Sequence, residues 1–454
     1  MSAHLLSRTE SEDIVQALRG GLVPRRGLHH LATGMDALLG AIEQELEFVA
    51  TGKGTAKWIR GEYGSGKTFA TRLLCARARA RGFATSEVQI SINDTPLHHL
   101  ETVYRRLIER LETAADGAGA FQGIVDAWLY QVGDEVQRIQ GFSEDDPRLA
   151  DATEKRLEDK LAELARQNQT FPAVLRAYHR AMFDGDFATA QGLIAWLSGQ
   201  PHVSAKITAK ANIRGALDGQ AALTFLSGLL CLLRQTDRPG LVVVLDEVET
   251  IQRMNAQTRD KALNALRQLM DQLAHEQLQG LYLVVTGNRD FFEGHKGLKS
   301  LTPLYQRVSV SYGDDPRFDN LRATQVRLSP FDAARLLEVG RRVRDLYPAT
   351  QPERVAAKVS DVFLQGLVEK VTAGFGGKVT VAPRVFLREL VDVIDRVEQH
   401  EAYDPSEHYK LTLNGETLTP EEVSAKEGRP SAGPADSDED DAESSRGRAR
   451  RLEG

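Results

Sequence analysis

Apolar residues along the chain follow two rhythms. In MDALLGAIEQELEFVATG, LHHLETVYRRLIERL, AFQGIVDAWLYQVGDEVQRI, TEKRLEDKLAELARQ, FPAVLRAYHRAMF, FATAQGLIAWLSG and RDKALNALRQLMDQLAHEQ they recur every three to four positions. That spacing predicts amphipathic helices. QAALTFLSGLLCLLRQ is apolar on most faces, which predicts a buried helix. AKWIR, LVVVLDEVE, LYLVVTGN and ATQVRLS are short apolar runs and read as strands, and FATSEVQISI alternates before it turns apolar. Strands of this kind separated by helices predict a parallel sheet covered on both faces, hence an α/β fold.

The strand signals are unevenly spread. They sit on either side of a long stretch with helical periodicity and almost no strand character. Residues 1–55 read as an N-terminal helical segment, with SEDIVQALRG opening on an N-cap and an acidic first turn. Residues 56–114 read as the first part of a sheet core, 115–218 as a helical insertion and 219–330 as the second part of the core. Residues 331–412 read as a C-terminal helical domain, and 413–454 as an extension that ends in a tail. That tail, SAGPADSDEDDAESSRGRARRLEG, has almost no large apolar residue and carries an acidic block before a basic one. It cannot bury enough surface to offset its ordering entropy, so disorder is expected there. No internal repeat is visible.

Composition narrows the class. With 454 residues, 41% hydrophobic and 27% charged, the chain is long enough for two or three domains with substantial cores. No apolar run reaches the roughly 20 residues needed to span a bilayer. The N-terminus lacks a signal-peptide pattern, and the two cysteines, Cys75 and Cys231, lie in apolar helical stretches. A cytoplasmic setting is therefore expected. The net charge of −7 argues against a wholly basic nucleic-acid-coating protein, though a local basic patch could still meet DNA.

One motif defines the chemistry. GEYGSGKT, Gly61–Thr68, matches G-x-x-x-x-G-K-[ST] in full and lies between a predicted strand and a predicted helix. Gly61, Gly64 and Gly66 permit backbone angles that turn N–H groups around an anion. Lys67 supplies a point charge for the β- and γ-phosphates, Thr68 supplies a hydroxyl to Mg²⁺, and the following helix directs its positive end at the phosphates. Gly61, Glu62, Tyr63, Gly64, Ser65, Gly66, Lys67, Thr68 and Phe69 are thus the candidate ATP-binding residues.

The run LVVVLDEVE ends in Asp246 and Glu247, candidates for holding Mg²⁺ and for activating the attacking water. Two adjacent carboxylates repel unless a cation is near. Glu249 reads as a solvated first-turn residue. LYLVVTGN ends in polar groups fit to sense a γ-phosphate or a water; of Thr286 and Asn288, Asn288 is the first choice. Arg307 is the candidate arginine finger towards a neighbouring subunit, with a surface salt bridge as the alternative. Arg384, behind a proline that favours a helix start, is a candidate contact to the γ-phosphate, with capping or packing as the alternative. Arg25 or Arg26 could touch nucleotide. The pairs His29–His30 and His98–His99 lack a surrounding ligand set at zinc spacing.

The order of phosphate loop, acidic strand, polar sensor strand and helical domain with an arginine resembles the AAA+ superfamily, nearest its initiator, Orc/Cdc6-like branch. About 180 residues separate Lys67 from Asp246, far more than a minimal core of that kind needs. A closer resemblance covers about residues 20 to 410. VPRRGL, RGEYGSGKTF, RGFATSEVQIS, TPLHHLETVYRRLIERL, PGLVVVLDEVETIQR, KALNALRQLMDQ, LYLVVTGNRDFFEG, DPRFDN and GGKVTVAPRVFLRELV resemble the BrxD family of ATP-binding proteins of BREX (bacteriophage exclusion) systems. The resemblance implies an AAA+-like P-loop NTPase with a parallel sheet, a large helical insertion and a C-terminal helical lid domain. It implies anti-phage defence with partners that include a methyltransferase, a phosphatase-like protein and a helicase. A nucleotide-gated DNA-binding or loading switch with negligible turnover is the competing expectation. A helix-turn-helix module near the C-terminus, which a replication initiator would need, is not seen.

Overall fold

The computed structural model describes residues 6–427, apart from 144–145, 147, 166–167, 214, 378, 380–381 and 414–417. The tail expected to be disordered lies outside the described residues. The chain forms two compact units. The first draws on Met1–Ala41, Ile59–Ala76 and Val310–Gly454, the second on Ile42–Trp58 and Arg77–Ser309.

The second unit is built on a mostly parallel sheet. Its strands are β1 (Thr55–Arg60), β2 (Ala84–Gln89), β3 (Leu111–Glu112), β4 (Leu241–Asp246) and β5 (Leu281–Gly287), in the order β3-β2-β4-β5-β1. β2 and β4 run parallel from Ala84↔Leu241 to Gln89↔Asp246, and β4 and β5 run parallel from Leu241↔Leu281 to Leu245↔Val285. Leu241–Leu245 are all buried. A strand covered on both faces needs such a continuous apolar run rather than alternation. β3 pairs antiparallel with β2 over two residues, too short to leave a pattern in sequence. β2 is also shorter than its sequence pattern, ending at Gln89 rather than running on through Ser91 and Ile92. β1 passes into the first unit, where β6 (Gln325–Arg327) lies beside its end and Leu328 N donates to Arg60 O at 2.7 Å.

The helical stretch between β3 and β4 shares the sheet's core. Phe225, on the buried helix Gly219–Gln235, meets Phe171, Trp196 and Tyr104 edge-on, at centroid distances of 5.4, 5.5 and 6.1 Å. Those rings come from three other helices, Thr170–Phe183, Phe187–Leu197 and Leu100–Glu109. Tyr104 Oη also donates to Leu197 O at 3.0 Å. Residues 115–218 therefore extend one hydrophobic core instead of enclosing a separate one. Neither Cys75 nor Cys231 is in a disulfide. Burial pushes the Cys231 thiol up to about 11, which leaves it inert near neutrality.

A charged network is buried in this unit. The Lys57 side chain is fully buried on β1 and pairs with Glu45 of the helix Asp36–Ala50, and Tyr282 Oη of β5 donates to the same carboxylate. Burial, and then the Glu45 charge, raise the Tyr282 phenol well above its ordinary value. Removing one partner of such a pair leaves the other uncompensated. Lys57→Met is expected to lower the unfolding free energy by about 3 kcal/mol, the low end of the range for a broken buried pair, because Glu45 keeps Tyr282. A urea titration reads this; an unchanged midpoint would show the pair to be energetically idle.

The first unit is largely helical, and its core is drawn from both ends of the chain. Ile14, Val15 and Leu18 of the helix Arg8–Arg19 pack with Leu336, Val339, Phe386, Leu390 and Ile394. Arg19 forks onto Asp395 with both bonds at 2.8 Å, and Tyr347 Oη donates to the same carboxylate at 2.7 Å. The C-terminal helices start where capping chemistry allows. Asp332 accepts from Arg335 N at 2.7 Å, Ser360 accepts from Phe363 N at 3.3 Å, and Pro383 opens the helix Pro383–Gln399.

Candidate nucleotide-binding site

The glycine-rich loop leaves β1 at Arg60 and enters the helix Lys67–Ala80. Gly64 and Gly66 hold φ of +76° and +86°, the left-handed region that side chains disfavour. At Gly61 a Cβ would stand 2.3 Å from Ser65 Oγ, so the loop could not close around a larger residue. Lys67 Nζ donates back to Gly61 O at 2.9 Å and to Glu62 O at 3.4 Å. Its ammonium is thus folded over the loop it belongs to. Thr68 is the second residue of the helix.

Ser65 Oγ tests whether an anion suits this loop. It is buried and has no hydrogen-bond partner among the described residues. A buried hydroxyl left unsatisfied is costly, and a donor at the start of a helix meets its need with an anion. The loop therefore fits a phosphate chain. Apolar side chains lie alongside: Met35 Cε and Phe331 Cε2 are each 3.7 Å from where a Gly66 Cβ would be. Leu28 and Leu73 are buried, and Val23, Met35 and Phe69 pack partly buried against them.

Tyr63 and Arg384 of the first unit are both bonded to residues near its C-terminal end. Tyr63 Oη donates to Thr419 Oγ1 at 2.9 Å. Arg384, at the start of the helix Pro383–Gln399, is ion-paired: its Nε donates to Glu422 Oε1 at 2.8 Å and its Nη2 to Glu422 Oε2. That bond raises the guanidinium above its ordinary value. Arg25 and Arg26 are exposed on the loop before the helix Leu28–Leu31.

The second unit holds the acidic strand end. Asp246 closes β4, and Glu247 follows in the left-handed region, at φ 58° and ψ 39°. A non-glycine residue there stores backbone strain, a common trait of functional sites. Side chains of neighbouring strands and the turn itself fix the pair. Thr286 Oγ1, fully buried on β5, donates to Asp246 Oδ1; Glu247 N donates to the same oxygen at 3.1 Å; Gln89 Nε2, at the end of β2, donates to Glu247 Oε2 at 2.9 Å. Asn288 serves as the N-cap of the helix Arg289–Glu293, accepting from Phe291 N at 2.9 Å. Arg307, on the helix Thr302–Val308, is ion-paired with Asp271 of its own chain. Glu249 falls in the first turn of the 3-10 helix Val248–Arg253.

Of the two sensor candidates, Thr286 donates to Asp246 and Asn288 caps the following helix. The structure adds Gln89, Thr419 and Glu422, which the sequence reading passed over. Thr419 and Glu422 had a signal in TPEE, a capping-box spacing. Gln89 had none, since its contact depends on the register of β2 against β4. Among the described residues, no group of three or more His, Cys, Asp or Glu side chains is arranged to hold a metal ion. No described helix is long and apolar enough to cross a membrane.

A strand, a glycine-rich loop that matches G-x-x-x-x-G-K-[ST] and a helix, in a chain with a mostly parallel sheet, define an α/β protein of the P-loop NTPase class. The chain belongs to the BREX system ATP-binding protein BrxC/D family, whose model matches residues 6–413. No curated protein matches it in sequence. Among solved structures, the Aeropyrum pernix ORC2 protein in its ADPNP-ADP complexes is similar at 11% identity, over 80% of this chain and 68% of that one, with a TM-score of 0.38. A likeness that loose carries no residue role across.

Proposed function

We propose that the chain is a Mg-ATP-dependent P-loop ATPase, of the BrxD kind within its family, serving BREX phage defence. It couples ATP binding and hydrolysis to the remodelling of DNA or of a partner protein. The observation that carries this reading is the full loop GEYGSGKT with its orphaned Ser65 hydroxyl, in a member of an ATP-binding family.

Residues 61–69 cradle the phosphates, and Lys67 neutralises the β- and γ-phosphates. Thr68 and Asp246 are the residues that would hold Mg²⁺, which when bound supplies Lewis-acid stabilisation of the phosphoryl oxygens. Glu247 takes the proton of the attacking water. Thr286 orients Asp246, and Asn288 is the first choice for the sensor of the γ-phosphate or its water. Arg384 answers to the γ-phosphate, and Arg307 exchanges Asp271 for a neighbouring subunit in a homo-oligomer. Residues 331–412 act as the lid and 115–218 as the platform for partners, in a cytoplasmic complex with other BREX proteins.

A second reading, a nucleotide-gated DNA-binding switch with negligible turnover, draws on one observation: the Glu247 carboxylate is already held by Gln89. Single-turnover phosphate release from Mg-ATP, with and without duplex DNA, decides between them. The ATPase reading expects Mg-dependent release; tight binding with no release above background under both conditions would leave the switch.

A further inference from the structure

The segment after residue 417 engages the phosphate loop and the arginine assigned to the γ-phosphate at the same time. The helix Pro420–Lys426 starts at Thr419 with a reciprocal cap. Thr419 Oγ1 accepts from Glu422 N at 3.3 Å, and Glu422 Oε2 accepts from Thr419 N at 2.8 Å. The Glu422 side chain is fully buried and also takes both bonds from Arg384. The Thr419 hydroxyl accepts from Tyr63 of the phosphate loop. Ala425 is buried in the helical core of the same unit.

These bonds oppose the role assigned to Arg384. A guanidinium forked onto Glu422 has its Nε and Nη2 engaged there, so a γ-phosphate that draws the same fork competes with that carboxylate. A buried carboxylate stripped of its cation is strongly destabilising. The penalty disappears only if the helix lets go and Glu422 meets water. The helix spans seven residues, too few to persist undocked, so release and melting are one event. Tyr63 adds a second tie: its hydroxyl leaves Thr419 if the loop shifts around a phosphate chain.

We propose that the helix Pro420–Lys426 is an autoinhibitory latch on the phosphate loop, opened when ATP draws Arg384 from Glu422 and Tyr63 from Thr419. This rests on the reading of the loop as an ATP site. Glu422 is here a positioning residue: it acts through Arg384 and touches no nucleotide.

The test is amide hydrogen exchange on the full chain, with and without a saturating non-hydrolysable ATP analogue and Mg²⁺, alongside equilibrium binding of the analogue. Exchange over residues 419–427 is expected to rise at least about tenfold when the analogue binds. Glu422→Gln keeps the shape and removes the charge; it should exchange fast without nucleotide and bind the analogue about three- to tenfold more tightly. Should that variant fold poorly, Thr419→Ala loosens the cap without touching Arg384 and should tighten binding about fivefold. Analogue binding with unchanged or slowed exchange over 419–427 would overturn the latch alone. No binding at all would overturn the ATP-site reading, and the latch with it.

Discussion

Lys67→Ala is expected to weaken ATP binding at least about a hundredfold while leaving the chain folded. A lysine facing phosphates makes charge-assisted bonds, and truncating one partner of a charge pair desolvated by the ligand costs about 2–5 kcal/mol. At about 1.4 kcal/mol per decade, even the middle of that range exceeds two orders of magnitude. The resting contacts of Lys67 are weaker. It donates to the carbonyls of Gly61 and Glu62, neutral acceptors that keep other routes to satisfaction. Their loss should cost about 1 kcal/mol of stability. Equilibrium titration with a fluorescent ATP analogue, paired with thermal unfolding, separates the two effects. Wild-type affinity in Lys67→Ala would remove the loop from the nucleotide site. Lost affinity with a collapsed melting temperature would mean that the lysine is structural.

What could be read from the sequence, and what could not, follows from the range of the interactions. The phosphate loop is legible because its glycines, lysine and threonine act within eight residues, on one turn of chain. β4 and β5 are legible because a strand buried on both faces must be apolar throughout. The capped starts of the C-terminal helices after Asp332 and Ser360 are local as well. The N-terminal helix is a different case. Its apolar stripe of Ile14, Val15 and Leu18 is visible, but its partners lie more than three hundred residues away. Nothing in residues 1–55 says that Arg19 belongs with Asp395. Periodicity tells which face is buried and is silent on what buries it.

The same limit explains the polar residues of the acidic strand end. Asp246 and Glu247 stand out because carboxylates after five apolar positions break a pattern. Gln89 is one glutamine in an alternating strand until the register Gln89↔Asp246 puts it beside that pair. Asn288 stands out as the last polar residue of LYLVVTGN, yet the turn into the next helix claims its side chain as a cap. Thr286, the other sensor candidate of that run, has a partner that only the pairing of β4 with β5 reveals: it donates to Asp246. Residues whose role depends on pairing are hidden from sequence; residues whose role depends on neighbours along the chain are not.

Glu247→Gln is expected to leave ATP affinity within about threefold of wild type and to lower turnover by about a hundredfold or more. A positioned general base contributes roughly 10²–10⁴ in rate, and an amide cannot accept the water's proton. Binding should persist because Glu247 is not among the residues assigned to the phosphates. The fold should persist for two local reasons. Glutamine, unbranched at Cβ like glutamate, tolerates φ of 58° no worse, and its side-chain oxygen can still accept from Gln89 Nε2. A β-branched replacement such as Glu247→Val would confuse the result, since it adds strain at a left-handed position and deletes that bond. Phosphate release at saturating Mg-ATP, with equilibrium binding measured on the same preparation, gives both numbers. A loss confined to turnover identifies a group that acts only in the transition state. Unchanged turnover would take the base role away from Glu247 and leave the strained turn as a device for aiming Asp246 alone.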